Sequence, residues 1–342
     1  SYKFAIFAHM VLVAGATGIL GRVIVLELLK QGKEVRATKR SSSNLKEVRA
    51  SYRFYTDKPD FYFDKIQWMD VDFEDLDSLR EALIDIDQVY HCAAIVSFNP
   101  QDDKAMNKTN VDGTRNLLYA VENSTVEKFL FVSSIAVLDG YNEQGMMDEN
   151  SDFNPKLNHS GYAISKHLSE MEVWRASAEG LNTVIINPGL IIGSGNWKKS
   201  SGDLISKSSH SYTFPGGTAY VDVRDVARIA IELMARNAFG ERFIIISENE
   251  KFRLVSDKVR KVLGKSPAKL LPEFLYTIFP IISFLLGWLF PILKMLSKTN
   301  IDTVRNDSRV SNNKIIKFLD YQFIPVSESI DFHLKNYLSD RK

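Results

Sequence analysis

Met10-Val11-Leu12-Val13-Ala14-Gly15-Ala16-Thr17-Gly18-Ile19-Leu20-Gly21 decides the reading of this chain. A short apolar run of strand character ends at Gly15, two further glycines follow at three-residue intervals, and helical spacing then runs from Leu20 to Leu29. Glycine is needed where a chain turns sharply, where backbone must approach a diphosphate, and where a helix packs close to a sheet. The free N–H groups and positive dipole end of the helix then hold the anion. A glycine trio by itself serves a tight structural turn equally well. Strand, trio, helix and next strand in that order make it a dinucleotide phosphate loop. Gly15, Thr17, Gly18, Ile19, Leu20 and Gly21 are therefore expected to bind cofactor.

The alternation continues downstream. Apolar runs occur at Glu34–Thr38, Ile66–Met69, Gln88–Cys92, Phe129–Val132 and Thr183–Ile186, with helical spacing at Leu76–Ile84, Val111–Val121 and Tyr162–Trp174. Strand and helix in turn predict an α/β fold, a parallel sheet with helices on both faces, and the unbroken apolar character of the strands fits burial on both sides. Lys39–Lys65 is a long excursion whose aromatic residues, Tyr52–Tyr55 and Phe61–Phe63, are expected to pack down. After Asn187 the pattern changes to glycine- and serine-rich loops, then helical spacing at Val223–Ala235 and Leu254–Leu263, and a polar helical tail, Asn312–Leu338, broken by Pro325. Asp225 is expected to cap the helix that follows it. Residues 10–190 read as a nucleotide-binding domain, and 191–342 as a smaller, mostly helical substrate-binding cap with some segments returning to it. Ser1–His9, aromatic-rich and without a basic region or cleavage site, reads as a leader outside the fold.

Composition bounds the function. With 342 residues, 45% apolar and 25% charged, the chain is an ordinary globular protein, not a disordered or fibrous one. Lys+Arg of 43 against Asp+Glu of 42 gives no general attraction for nucleic acid, so no nucleic-acid partner is expected. The lone cysteine, Cys92, can form neither an internal disulfide nor a multi-cysteine metal site, which fits a reducing, cytoplasmic compartment. The six histidines show no metal-like spacing, and no metal is expected.

The end of the second strand speaks to the cofactor. An NAD-binding chain usually places an acid about 20 residues beyond the glycines, to grip the ribose hydroxyls. Thr38-Lys39-Arg40-Ser41 stands there instead. Two cations and two hydroxyls suit a 2′-phosphate, so Lys39 and Arg40 point to NADP, with NAD as the alternative; a solvated basic turn is the bland reading.

With these motifs the sequence resembles the extended branch of the short-chain dehydrogenase/reductase family, the epimerase/dehydratase superfamily. It is most similar to dihydroflavonol-4-reductase-like and 3β-hydroxysteroid-dehydrogenase-like members. The matching stretches include Asp72-Phe73-Glu74-Asp75, His91-Cys92-Ala93-Ala94, Asn110-Val111-Asp112-Gly113-Thr114, Ser133-Ser134, Tyr162-Ala163-Ile164-Ser165-Lys166, Asn187-Pro188-Gly189 and Val221–Ala227. The resemblance implies a Rossmann-type doubly wound sheet. It also implies that Asp72 and Phe73 contact adenine, that Ala93 and Ala94 line the ribose, that Pro188 and Gly189 cover the nicotinamide, and that Lys166 holds its ribose. Asn110 would support a proton relay or serve the structure. Two positions depart from the family: Ala14 stands where Thr is common, and Asn187 where many extended members carry Arg.

Chemistry accounts for the catalytic set. Tyr162 and Lys166, four apart on a helix, share one face. A free tyrosine titrates near ~10, and a neighbouring ammonium would favour its phenolate. Tyr162 would then exchange a proton with a carbonyl or alcohol while the nicotinamide exchanges hydride, and Ser134, favoured over Ser133, would orient the oxygen. His91 and Cys92 read as packing residues.

Two reactions share this set: net hydride transfer between NADP(H) and a ketone or alcohol, and a sugar-nucleotide epimerase or dehydratase with retained NAD. Ser134 is followed by Ile135-Ala136, not the Asp-Glu pair of dehydratases, and the cap is apolar, so a reductase acting on an apolar small molecule is expected. Lys198, Lys199 and Lys207 could serve a diphosphate in the epimerase reading. A non-catalytic NADP-binding regulator is the third reading; such members often lose the tyrosine or lysine that this chain keeps. Finally, Phe274–Leu293 is twenty residues without a charge. Pro272, Pro280 and Pro291 argue against one span. Two short helices around Pro280, buried as a lid or dimer surface, are expected first, and contact with a membrane surface second.

Overall fold

Seven strands form the central sheet; the inner ones, runs of Val, Ile, Leu and Phe, are buried on both faces, while Gln67–Asp70 at one edge is only half-buried. In the computed structural model, which describes residues 10–197 and 203–341, these are β1 (Met10–Ala14), β2 (Glu34–Lys39), β3 (Gln67–Asp70), β4 (Ile86–His91), β5 (Lys128–Val132), β6 (Asn182–Pro188) and β7 (Glu241–Ile245). They make one parallel sheet in the order β7-β6-β5-β4-β1-β2-β3. The chain winds outward from β1 to β3, then returns to β4 beside β1. Strand order reverses there, and such switch points leave a crevice at the carboxyl ends of the strands.

Each face of the sheet carries its own core. Helix α1 (Ile19–Lys30) and the helix Val223–Ala235 bury Val23, Ile24, Leu26, Val226, Ile229, Ala230 and Leu233 against one face. The helices Leu76–Ala82, Gly113–Glu122 and Gly161–Ala178 cover the other through Leu79, Leu117, Leu118 and Val173. The excursion after β2 does pack down: Tyr52, Phe54 and Phe63 are buried. Strand β7 was not legible as a strand, because its five residues open with Glu241-Arg242 and lie among loops.

Beyond residue 190 a three-stranded sheet (Leu190–Ile192, Gly217–Asp222, Glu248–Lys251) packs against the helices Phe252–Val262 and Val326–Ser339. The cap of helix Val223–Ala235 is Asp222, whose side chain accepts from the Arg224 N–H. Asp225 lies within the first turn and is buried. It anchors the tail by accepting from the Tyr321 hydroxyl and the Ile324 N–H, both at 2.8 Å. Ser1–His9, Lys198 and Lys199 lie outside the described residues.

The apolar segment departs most from expectation. It is one helix, Glu273–Leu286, running through Pro280, followed by a short 3-10 turn at Pro291–Leu296. A proline removes one helical hydrogen bond, and the turns on either side continue regardless. Nor is the segment a buried lid: Tyr276 is the helix's one buried side chain among those described, Leu275, Phe279, Pro280, Ile282 and Ser283 are half-buried, and the rest are exposed. No described helix is long and apolar enough to cross a membrane.

Candidate active site

The glycine loop expected to hold phosphate joins β1 to α1. Gly15 has a φ of +82°, and a Cβ there would lie 2.5 Å from the Ala93 nitrogen, so the loop can approach the end of β4 only as glycine. Thr38, buried on β2, accepts from the Gly15 N–H at 3.1 Å. Beneath the loop lies Arg22, whose side chain is fully buried. Its guanidinium donates to the carbonyls of Thr17 (2.5 Å) and Gly18 (3.3 Å) and to both Glu47 oxygens (2.7 and 2.8 Å). Helix α1 starts with no side-chain cap and no acid in its first turn. Its first N–H groups have no intrahelical acceptor, and among the described residues no side chain caps its positive end. A backbone cradle closed to a Cβ at Gly15 and Gly21, beside such a helix end, fits a dinucleotide diphosphate.

The basic turn divides into two unlike cations. Lys39 is paired with Asp70 at 2.5 Å. Arg40 is exposed and makes no side-chain hydrogen bond or ion pair among the described residues. On the adenine side, Asp72 is exposed and accepts from the Glu74 N–H at 2.9 Å. Phe73 stacks on the His91 ring, centroids 5.7 Å apart. Ala93 backs directly onto Gly15, and Ala94 is exposed beside it. His91 is fully buried and bonded to the Thr114 hydroxyl at 2.9 Å; burial pushes its pKa down to about 3, so it stays neutral. No described cluster of His, Cys, Asp and Glu could hold a metal.

Ser160 starts the helix Gly161–Ala178 by accepting from the Ala163 N–H, which sets Tyr162 in the first turn. The Tyr162 hydroxyl lies near enough to Ser134 for the serine to oppose the rise in its pKa, and the Tyr162 ring meets Phe98 edge-on at 6.3 Å. The neighbouring Ser133 is turned away: it is buried and donates to Glu170 at 2.6 Å. Asn110 sits on a wide helical turn; its amide exchanges two hydrogen bonds with Ile95 and donates to Ser165 at 2.9 Å. It ties the loop after β4 to the Tyr162 helix. Pro188 ends β6, and Gly189 donates to Ile245 at 3.1 Å.

Lys166 behaves differently from the expectation. It is 2% exposed, donates to the Val132 carbonyl at 2.7 Å, and lies 4.2 Å from the Phe131 ring centroid. Burial lowers its pKa from 10.5 to about 7, while the charges of Glu170 and Cys92 act the other way. Tyr162 is raised above its ordinary value by burial, and Ser134 alone opposes that. Lys166 does not offset the burial of the Tyr162 phenol in the chain alone; its Nζ is engaged on the Val132 carbonyl of β5 instead.

The sequence reading passed over the bracket behind these groups. Glu170, 2% exposed, accepts from Ser133, from Asn187 at 3.2 Å and from Arg242 of β7 at 3.3 Å. Asn187 also donates to the Ser134 carbonyl at 3.1 Å. Two signals could have revealed the missed residues. Glu170 is four residues beyond Lys166 on one helical face, and Arg22 is a lone charge within the apolar run Ile19–Leu26.

Comparison with known proteins agrees with this geometry. The NAD dependent epimerase/dehydratase family matches residues 11–246. Sterol demethylase protein B of Methylococcus capsulatus is 31% identical over 244 residues, 70% of each chain. Dihydroflavonol 4-reductase of Arabidopsis thaliana is 29% identical over 266 residues, 73% of this chain and 68% of its own. The crystal structure of gox2253 superposes with a TM-score of 0.80 at 26% identity, covering 97% of this chain and 98% of its own. The chain belongs to the NAD dependent epimerase/dehydratase family, the extended short-chain dehydrogenases/reductases, whose members are NAD(P)-dependent enzymes acting on CH–OH or keto groups.

Proposed function

We propose that this protein is an NADP(H)-dependent oxidoreductase that interconverts a ketone and a secondary alcohol on an apolar small molecule. What supports the reading is that Tyr162 lies near Ser134, which follows β5 at the same carboxyl edge of the parallel sheet where the Gly15–Gly21 loop follows β1. The Gly15–Gly21 loop would hold the diphosphate, Asp72 and Phe73 the adenine, Ala93 and Ala94 the ribose, and Lys166, Asn110, Pro188 and Gly189 the nicotinamide end. Arg40 would take the 2′-phosphate, since Lys39 is already paired. When bound, the cofactor supplies or accepts hydride.

The chain's own residues do the rest. Ser134 donates to the substrate carbonyl and fixes its orientation. Tyr162, which burial keeps protonated at neutral pH, delivers its proton to that oxygen. A phenol held neutral is a donor, which favours reduction. A sterol, named in one relative, is an apolar ring system, and a dihydroflavonol, named in another, is a cyclic ketone; together they support a ring-bearing ketone or alcohol, and the first an apolar one.

The test assays cyclic ketones with NADPH, comparing wild type with Tyr162→Phe and Arg40→Ala. Tyr162→Phe should lose roughly 100-fold or more in turnover with little change in NADPH affinity. Arg40→Ala should raise KM for NADPH about tenfold and leave NADH use unchanged. Retained turnover in Tyr162→Phe, or a purified protein carrying NAD that does not exchange, would overturn the reading; the second result favours the epimerase.

A further inference from the structure

We propose that residues 274–296 are a docking face for an anionic lipid bilayer, set at the mouth of the Tyr162 site so that substrate arrives from the membrane. Phe274, Ile278, Ile281 and Leu285, spaced four, three and four apart, form one exposed stripe of the helix Glu273–Leu286. Phe284 and Trp288 extend it and are 85% and 76% exposed. Contiguous apolar surface on this scale marks an interaction site. At 14 residues the helix is about 21 Å long, short of the roughly 30 Å hydrocarbon core, so it can lie on a bilayer but not cross one.

Charge identifies the occupant. From Phe274 to Ile301 there is no acid, while Lys294 and Lys298 are exposed. Glu273, at the edge, is neutralised by Arg305. An apolar stripe flanked by lysines and free of carboxylates suits anionic headgroups over hydrocarbon. The Trp288 indole N–H already donates to the Leu285 carbonyl at 2.9 Å, so immersing it strands no donor.

Placement links the face to the chemistry. Asn300 donates to the Met295 carbonyl at 3.0 Å and to the Phe98 carbonyl at 2.8 Å, and the Phe98 ring lies against Tyr162. The patch and the proposed proton donor are thus two residues apart. This use of the face rests on the oxidoreductase reading, but vesicle binding does not depend on turnover, so the two can fail separately.

The test is flotation of the full chain with vesicles of phosphatidylcholine alone or with about 30% phosphatidylglycerol, alongside light scattering. Wild type should float at least about tenfold better with the anionic vesicles. Phe284→Asp/Trp288→Glu should abolish flotation, keep NADPH binding and turnover of a water-soluble ketone within about twofold, and slow only a vesicle-dissolved ketone. Three outcomes would overturn the proposal: no flotation of wild type, flotation unchanged in the double variant, or a dimer that the double variant converts to monomer, which would make a second copy the occupant.

Discussion

Replacing Lys166 by methionine should make the fold more stable, by an amount that depends on pH in a predictable way. The ammonium is held 2% exposed with a pKa lowered from 10.5 to about 7. The folded value lies below the unfolded one, so the unfolded chain binds more protons between those limits and stability rises with pH there. At about 1.4 kcal/mol per pH unit, burying this lysine costs about 5 kcal/mol at pH 6 and about 2 kcal/mol at pH 9. Methionine has no such penalty but leaves the Val132 carbonyl without its donor. That loss, on the order of 1–2 kcal/mol, is the same at every pH. The stability gained by Lys166→Met should therefore shrink by about 2–3 kcal/mol between pH 6 and pH 9. Urea unfolding followed by tryptophan fluorescence at the two pH values measures it. A difference that does not change with pH would refute the account of a desolvated lysine.

Gly15→Ala places a methyl 2.5 Å from the Ala93 nitrogen at a φ of +82°; a loss of about 3 kcal/mol is expected, with NADPH binding weakened at least about tenfold. Fluorescence titration and thermal unfolding check it, and unchanged affinity would show that the loop does not carry the diphosphate. Glu170→Gln removes a buried carboxylate shared by Ser133, Asn187 and Arg242, and stability should fall by about 3 kcal/mol. Glu170 also favours the Lys166 ammonium, so the alkaline limb of the pH–rate profile should move to lower pH. A profile shifted upward would contradict the placement.

What the sequence revealed follows from which interactions are local. The phosphate loop was legible because Gly15, Gly18 and Gly21 record backbone constraints in consecutive residues. Six of the seven sheet strands were legible as apolar runs. Serine choice was less determined: Ser133 and Ser134 are adjacent, and what separates them is Glu170, 37 residues from Ser133. The direction of the Tyr162 shift could not be read either. Helical spacing puts Lys166 on its face, but burial and the Val132 carbonyl decide where the ammonium goes. Similarly, Asp225 reads as the cap until Tyr321 and Ile324, nearly a hundred residues on, claim its carboxylate and Asp222 takes the cap. The apolar run 274–293 gave its composition but not its exposure, since hydrophobicity without alternation is compatible with a core, an interface or a lipid surface.

The same distances bear on where one folding unit ends. A boundary at residue 190 keeps the glycine loop, Ser134, Tyr162 and Lys166 together. Both ends of the proposed site nevertheless lean on later residues. At the catalytic end, Ser133 is held by Glu170, and Glu170 is matched by Arg242 on β7. At the cofactor end, Arg22 holds the loop carbonyls, and its partner Glu47 accepts from the Asn196 N–H at 2.7 Å. A chain cut at 190 would leave Glu170 buried without its arginine, expose one edge of β6, and strip α1 of the helix Val223–Ala235 that covers it. An uncompensated buried carboxylate and an uncovered apolar helix are each destabilising by several kcal/mol, comparable to the net stability of a domain. The residues proposed to bear the chemistry are concentrated before 190, but the contacts that hold them extend well beyond it.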